Sequence, residues 1–196
     1  MRLQYLLIGS VLLFSACNSA DKQAAPPGPT QDQPLKTASY SPAFGSALDG
    51  IILAYGEMIN AIGKTDTART NLKASVLLTQ LNGLSFSDLQ KDTLQYKTAR
   101  QQQANTAGEL NGLMGDQTIK EKYNDLNMVS QDLFDLLRTV GYAQAKKIFF
   151  TQCSTALGDD NPGYWIGLTS DSTQVQNPYQ PGSHCAQIMD SLPAHP

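Results

Sequence analysis

Residues 48–63 read LDGIILAYGEMINAIG, and this stretch sets the fold because its large apolar side chains recur at the spacing of a helix face. They stand at offsets 0, 3, 4, 7, 10, 11 and 14, as Leu48, Ile51, Ile52, Tyr55, Met58, Ile59 and Ile62. That spacing forms one continuous apolar stripe along an α-helix. Gly63, a residue that often ends helices, follows the stripe. The sequence therefore predicts a helix that buries one face.

Further segments repeat this helical spacing. Asp66 is placed to cap a second helix, and Gly83 lies near the end of that helix. Gly115 and Asp116 break the chain before a fourth helix, and Gly141 follows it. The apolar positions are Ala74, Leu77, Leu78, Leu81 and Leu84 in the second helix, and Ile119, Tyr123, Leu126, Val129, Leu133, Leu136, Leu137 and Val140 in the fourth. With a third helix between them, these segments predict a mainly α fold, an antiparallel four-helix bundle over residues 44–141.

The third helix is predicted to begin at residues 87–90, Ser-Asp-Leu-Gln, which form a capping-box pattern. Four of its positions stand one heptad apart: Leu89, Tyr96, Gln103 and Leu110. Gln103 thus interrupts the apolar stripe, and a polar residue at one buried layer usually sets helix register or faces water. We expect such a role for this glutamine, with a partner-binding surface as the alternative.

After Gly141 the pattern changes to short strands and turns. Residues 146–153, KKIFFTQC, and residues 164–168, YWIGL, are the strand candidates, and LGDDNPG lies between them. We expect a C-terminal cap over residues 142–192, followed by a short tail over residues 193–196. The cap is predicted to pack against one end of the bundle through four aromatic side chains: Phe149, Phe150, Trp165 and Tyr179.

The first residues have the features of an export signal. An apolar run follows Arg2 and is about half the roughly 20 residues needed to cross a bilayer. Residues 14–17, Phe-Ser-Ala-Cys, resemble a bacterial lipobox, although its first position is usually Leu. The resemblance implies cleavage after residues 1–16 and lipidation of Cys17, and Asn18 in the next position favours the outer membrane. The alternative is an ordinary signal peptide with an incidental cysteine.

Residues 17–43 are predicted to be the lipidated cysteine and a disordered tether. They are rich in Pro, Ala, Gln and Thr and have few large apolar groups. Such a composition cannot offset the entropy lost on folding. We therefore expect the folded body to hang from a membrane by this segment.

The expected state of the other two cysteines depends on the cellular compartment. Lipidation of Cys17 leaves Cys153 and Cys185 in an oxidising export compartment, where a disulfide is the default. It would close a loop of about 32 residues, which the chain-entropy model values at roughly 3 to 4 kcal/mol. Metal binding and reactive thiols are the alternatives.

Composition and motifs argue against two broad classes of function. The formal charge is −3, so nucleic acid is not expected as a partner. Ser154 and Ser183 have no triad context, and the adjacency of His184 and Cys185 in sequence does not make a Cys-His nucleophile. No phosphate-binding loop or HExxH pattern occurs in the sequence. We expect neither an enzyme nor a cofactor.

The C-terminal motifs carry a family resemblance. FFTQCSTA, YWIGL, VQNPY and a final cysteine, in that order, resemble the signature of a bacterial family, domain of unknown function 3347, over about residues 44–190. The matching positions are Cys153, Ala156, Trp165, Asn177, Pro178, Tyr179 and Cys185. Members of that family are exported helical proteins, so the resemblance implies the same for this chain. The family's domain is sometimes attached to or found near heavy-metal efflux membrane-fusion proteins.

The same resemblance raises a metal site as an alternative function. Family members commonly have Pro and Met after the first cysteine, where this chain has Ser154 and Thr155. Cu(I) prefers thiolate and thioether ligands, so the remaining set of Cys153, His184 and Cys185 suits a disulfide better than a metal. The sequence thus favours an outer-membrane lipoprotein that acts as a non-enzymatic binding or adaptor module for an envelope protein. The alternative is an accessory copper-type protein of a heavy-metal efflux system.

Overall fold

The computed structural model describes residues 40–142, 146–158, 160–169 and 176–194. The predicted signal, Cys17, nearly all of the tether and the end of the tail lie outside these residues. The described body is mainly helical, with a small antiparallel sheet towards the C-terminus. Its helices are α1 (Pro42–Gly63), α2 (Thr67–Gly83), α3 (Thr93–Gly115) and α4 (Ile119–Val140), with a short 3₁₀ helix at Ser87–Leu89, and its strands are β1 (Ile148–Cys153), β2 (Gly163–Gly167) and β3 (Gln187–Leu192).

The apolar stripe of residues 48–62 lies in the core as predicted. Of its seven large side chains only Ile59 is partly exposed, and the other six are buried. The helices pack in sequence order, α1 on α2, α2 on α3 and α3 on α4, and the sheet packs on α4 through β2. The result is a helical bundle with one continuous hydrophobic core, which the sheet shares.

Helix starts are fixed by polar side chains next to the first turn. Helix α1 begins at Pro42, two residues before the predicted boundary, because Ser41 Oγ accepts the Phe44 N–H at 3.3 Å and proline suits the first helical position. Asp66 caps α2, as predicted, and accepts the Arg69 N–H at 2.9 Å.

The predicted capping box at residues 87–90 is wrong. Ser87–Leu89 form the 3₁₀ helix, and α3 begins at Thr93 with Asp92 as its cap. Phe86 and Leu89 are both buried in the core, so the segment closes as one tight turn whose apolar side chains point inwards. Asp88 instead accepts hydrogen bonds from the Ser41 backbone N–H and hydroxyl, at 2.8 and 2.7 Å, and these bonds lower its pKa. The segment therefore holds the start of α1.

Buried polar side chains of one helix bond to the carbonyls at the end of another. Gln103 is only 5% exposed, and its Nε2 donates to the Leu81 and Leu84 carbonyls at the end of α2, at 2.6 and 3.2 Å. Lys122 likewise donates from α4 to the Leu113 and Asp116 carbonyls at the end of α3. Carbonyls in a last turn have no partner within their own helix, so these bonds satisfy them. Gln103 has the structural role that we expect from the sequence and is not a partner-binding surface.

The sheet has the order β2–β1–β3, and β1 is antiparallel to both neighbours. The first two strands lie where the sequence predicts them, within one or two residues. Strand β3 is not predicted from the sequence, because its side chains are mostly exposed and give little apolar pattern. Its backbone pairing with β1, which includes a register shift between Phe150 and Thr151, makes it a strand.

The prediction that the cap packs on one end of the bundle is wrong. Contacts to the cap run along the side of α4, from the edge-to-face rings of Tyr123 and Tyr179 to the stacked rings of Phe134 and Phe150. At 1.5 Å per residue this stretch of helix covers about 16 Å. Phe150, Trp165 and Tyr179 join the hydrophobic core, whereas Phe149 lies outside that cluster, beneath the Lys147 ammonium. No helix among the described residues has the length and apolarity needed to span a bilayer.

Replacing Gln103 by Leu leaves the two α2 carbonyls without their partner and should lower the free energy of unfolding by about 2 kcal/mol. Urea unfolding followed by circular dichroism measures this change. Gln101→Leu, on the exposed side of the same helix, is the matched control and should stay within about 0.5 kcal/mol of the parent. Equal losses of unfolding free energy in the two variants would contradict the role of Gln103 as the partner of the α2 carbonyls.

Candidate functional site

A disulfide connects two cysteines within the C-terminal cap, as predicted. Cys153 at the end of β1 is bonded to Cys185, which lies just before β3, with an S–S distance of 2.06 Å and a Cα–Cα distance of 5.1 Å. The bond closes a segment of sequence separation 32 that contains β2 and the turn at residues 177–182. It therefore holds this turn beside the sheet.

Asn177 organises the turn inside the disulfide loop. Its side chain is buried, and Oδ1 accepts the backbone N–H groups of Tyr179 and Gln180 at 2.9 and 3.2 Å. Nδ2 donates to the Ser183 hydroxyl at 2.9 Å and contacts Cys185 Sγ at 3.1 Å. One amide thus links the start of the turn to the disulfide, which explains why asparagine suits this position.

A chain of buried hydrogen bonds connects the sheet to two helices. The Ile166 N–H of β2 donates to the Tyr55 hydroxyl of α1 at 3.1 Å, and that hydroxyl lies 2.7 Å from Ser130 Oγ of α4. Ser130 Oγ donates its own proton to the Leu126 carbonyl at 2.7 Å, so Tyr55 is the donor to Ser130. Burial raises the pKa of Tyr55 to about 12, against the opposing effect of the two hydrogen bonds. The hydroxyl therefore stays protonated at neutral pH.

The aromatic side chains of Trp165 and Tyr179 in the cap are buried and packed against each other. Tyr179 donates its hydroxyl to the Tyr164 carbonyl at 2.6 Å, and its ring lies edge-to-face with Trp165. Burial raises the pKa of Tyr179 well above its ordinary value. A Cβ at Gly163 would meet the Tyr179 ring and the Ala156 methyl at 2.7 Å, so this position requires glycine. Trp165 is 1% exposed, and its indole N–H has no hydrogen-bond acceptor in the part of the chain that the structure describes.

A groove separates α1 from the cap and consists of two adjoining pockets. The first pocket, about 240 Å³, lies against Ile52, Ile59 and Trp165, and the second pocket, about 330 Å³, extends to Lys64 and His184. Both pockets are lined by Gly56, Ile59 and Gln176, so they form one feature, which we name the α1–cap groove. Sequence reasoning did not find it, because its walls come from segments that lie more than 100 residues apart.

The structure does not assemble the alternative metal set of Cys153, His184 and Cys185. The two sulfurs are bonded to each other, so neither is a thiolate, and His184 lines the second pocket. Among residues 40–142, 146–158, 160–169 and 176–194, no three His, Cys, Asp or Glu side chains form a group suited to a metal ion.

Comparison with known proteins identifies no relative of this chain. No family model, curated protein or solved structure matches this chain. The function must therefore be argued from the chain's own residues.

Thiol counting tests the disulfide on residues 34–196, the compact unit that contains the whole described core. Denatured protein from an oxidising compartment should show no free thiol before reduction and two after it. The double variant Cys153→Ala with Cys185→Ala should lose about 3 kcal/mol of unfolding free energy, because the open chain has more entropy when unfolded. Reduction should not alter that variant, whereas two free thiols in the untreated parent would contradict the bond.

Tyr55→Phe removes the hydroxyl that accepts the Ile166 N–H, and we expect a loss of about 2 kcal/mol of unfolding free energy. Hydrogen exchange at the Ile166 amide should also accelerate relative to the other amides of β2. Tyr96→Phe is the control, since the structure gives its hydroxyl no hydrogen bond among the described residues, and it should change little. Unchanged exchange at Ile166 in the Tyr55 variant would contradict the hydrogen-bond chain.

Proposed function

We propose that this chain is a lipid-anchored protein of the bacterial outer membrane and works as a non-enzymatic binding or adaptor module. The observation that carries the proposal is the Cys153–Cys185 disulfide. Structural disulfides persist in export compartments and are rare in reducing ones. The disulfide therefore supports export of this protein, as do the signal-like residues 1–16.

The anchor in this proposal is Cys17, at the end of the lipobox-like residues 14–17. A diacylglycerol on its thiol, together with further acylation, would hold the chain at a membrane surface. The Pro-rich residues 18–39 would then act as the tether to the body. Asn18 supports the outer membrane over the inner one by resemblance to lipoprotein sorting signals.

The body in this proposal is an antiparallel four-helix bundle stiffened by the sheet. Its core is continuous through helices and strands, and buried hydrogen bonds join α1, α4 and β2. A rigid body on a tether suits a module that presents a surface or groove to an envelope protein or a small molecule. The groove between α1 and the cap supports binding more directly than any other described feature.

Accessory metal binding in a heavy-metal efflux system rests on the family resemblance alone. The disulfide takes both sulfurs of the candidate set, so a Cu(I) site would first require reduction of that bond. No described contact favours it over the binding or adaptor role.

Anchoring is tested with the full chain in a bacterium that has two membranes, labelled with radioactive palmitate. The parent should incorporate label and sediment with the outer membrane, and Cys17→Ser should lose both properties. Asn18→Asp is the matched variant and should keep the label but shift to the inner membrane. An unlabelled parent, or a labelled Cys17→Ser chain, would refute lipidation at this cysteine.

A further inference from the structure

The α1–cap groove has one basic end. Lys64 at the end of α1 and His184 before Cys185 both line the second pocket. Neither pocket has an aspartate or glutamate among its described lining residues, although the chain has 17 acidic residues against 14 lysines and arginines. The described part of this wall has two basic side chains and no acidic one, which favours an anion over a cation.

The other end of the groove is apolar. Ile52, Ile59 and Trp165 line it, and Leu168 at its edge is 46% exposed. The Trp165 indole N–H is buried and has no acceptor among the described residues, which is unusual in a folded protein. An apolar wall with a few convergent polar groups is the usual character of a small-molecule site.

The dimensions of the groove limit the size of an occupant. It follows α1 from Ile52 to Lys64, which at 1.5 Å per residue is a length of about 18 Å. Ligand sites usually have volumes of roughly 300 to 1,000 Å³. One pocket, about 240 Å³, is below that range and the other, about 330 Å³, is at its lower end. A single short acyl chain or an aromatic acid fits these limits.

We propose that the α1–cap groove binds a small amphipathic carboxylate, with its apolar body beside Ile52 and Trp165 and its charged group at Lys64 and His184. This inference rests on the proposed binding role and names its ligand class. A charged head at the open, basic end stays partly hydrated, so its burial costs little. The apolar body meanwhile removes exposed side chains such as Leu168 from water.

Octanoate is the probe, and octylammonium, with the same chain and the opposite charge, is its control. Residues 34–196 are titrated below the micelle concentration, and the fluorescence and indole N–H resonance of the single tryptophan are followed. We expect a saturable change with octanoate and a dissociation constant of about 1 mM, as ligand efficiencies for small molecules imply. Octylammonium should bind at least roughly tenfold more weakly.

Gly56→Leu tests the location of binding. Gly56 lines both pockets, and a Cβ there would have no atom within 4 Å, so leucine should occupy the groove without disturbing the fold. Gly108→Leu, on α3, is the matched control, since its Cβ position is equally open. The Gly56 variant should keep its melting temperature and lose octanoate binding, and the Gly108 variant should bind like the parent.

Lys64→Met tests the basic end and should weaken octanoate binding about threefold to fivefold, as expected for one rim charge. Lys91→Met is the control for the loss of a positive charge elsewhere. The proposal is overturned if octanoate gives no saturable change, if octylammonium binds equally well, or if Gly56→Leu binds like the parent. Palmitate labelling at Cys17 does not involve the groove, so failure here and failure of the membrane anchor are separate outcomes.

Discussion

The buried hydrogen-bond chain from Ile166 through Tyr55 to Ser130 is the constraint on which the rest of the structure depends. It joins a strand, the first helix and the last helix at one point inside the core. Every donor in it has an acceptor, and a buried polar chain is stabilising only when it is complete. Small shifts of the sheet along α4 would break it, so it selects one position of the cap along the helix.

The helical bundle uses the same principle between its helices. Gln103 and Lys122 each satisfy the last carbonyls of the preceding helix, which fixes where adjacent helices end relative to one another. Burial lowers the pKa of Lys122, while Asp116, Asp125 and Glu121 act in the opposite direction. Apolar stripes alone would allow helices to slide, and these directional bonds specify the register.

The groove is a consequence of how the cap is held. The disulfide and the Asn177 side chain keep residues 177–185 next to the end of α1, and the hydrogen-bond chain keeps β2 beside its middle. Gly56 and Gly63 leave space on the facing side of the helix, where larger residues would close the gap. The shape of the proposed site is therefore set by cap anchoring and by two small residues on α1.

The sequence by itself determined the helical stripes, the Asp66 cap and the first two strands, because each depends on local periodicity or on a capping residue. It also predicted the disulfide, because two cysteines remain once Cys17 is expected to be lipidated. It could not determine the start of α3, where burial of Phe86 and Leu89 outweighs a local capping pattern. Nor could it determine strand β3, the side-on position of the cap or the groove. These features arise from contacts between segments that lie far apart in the chain, and only the tertiary structure brings those segments together.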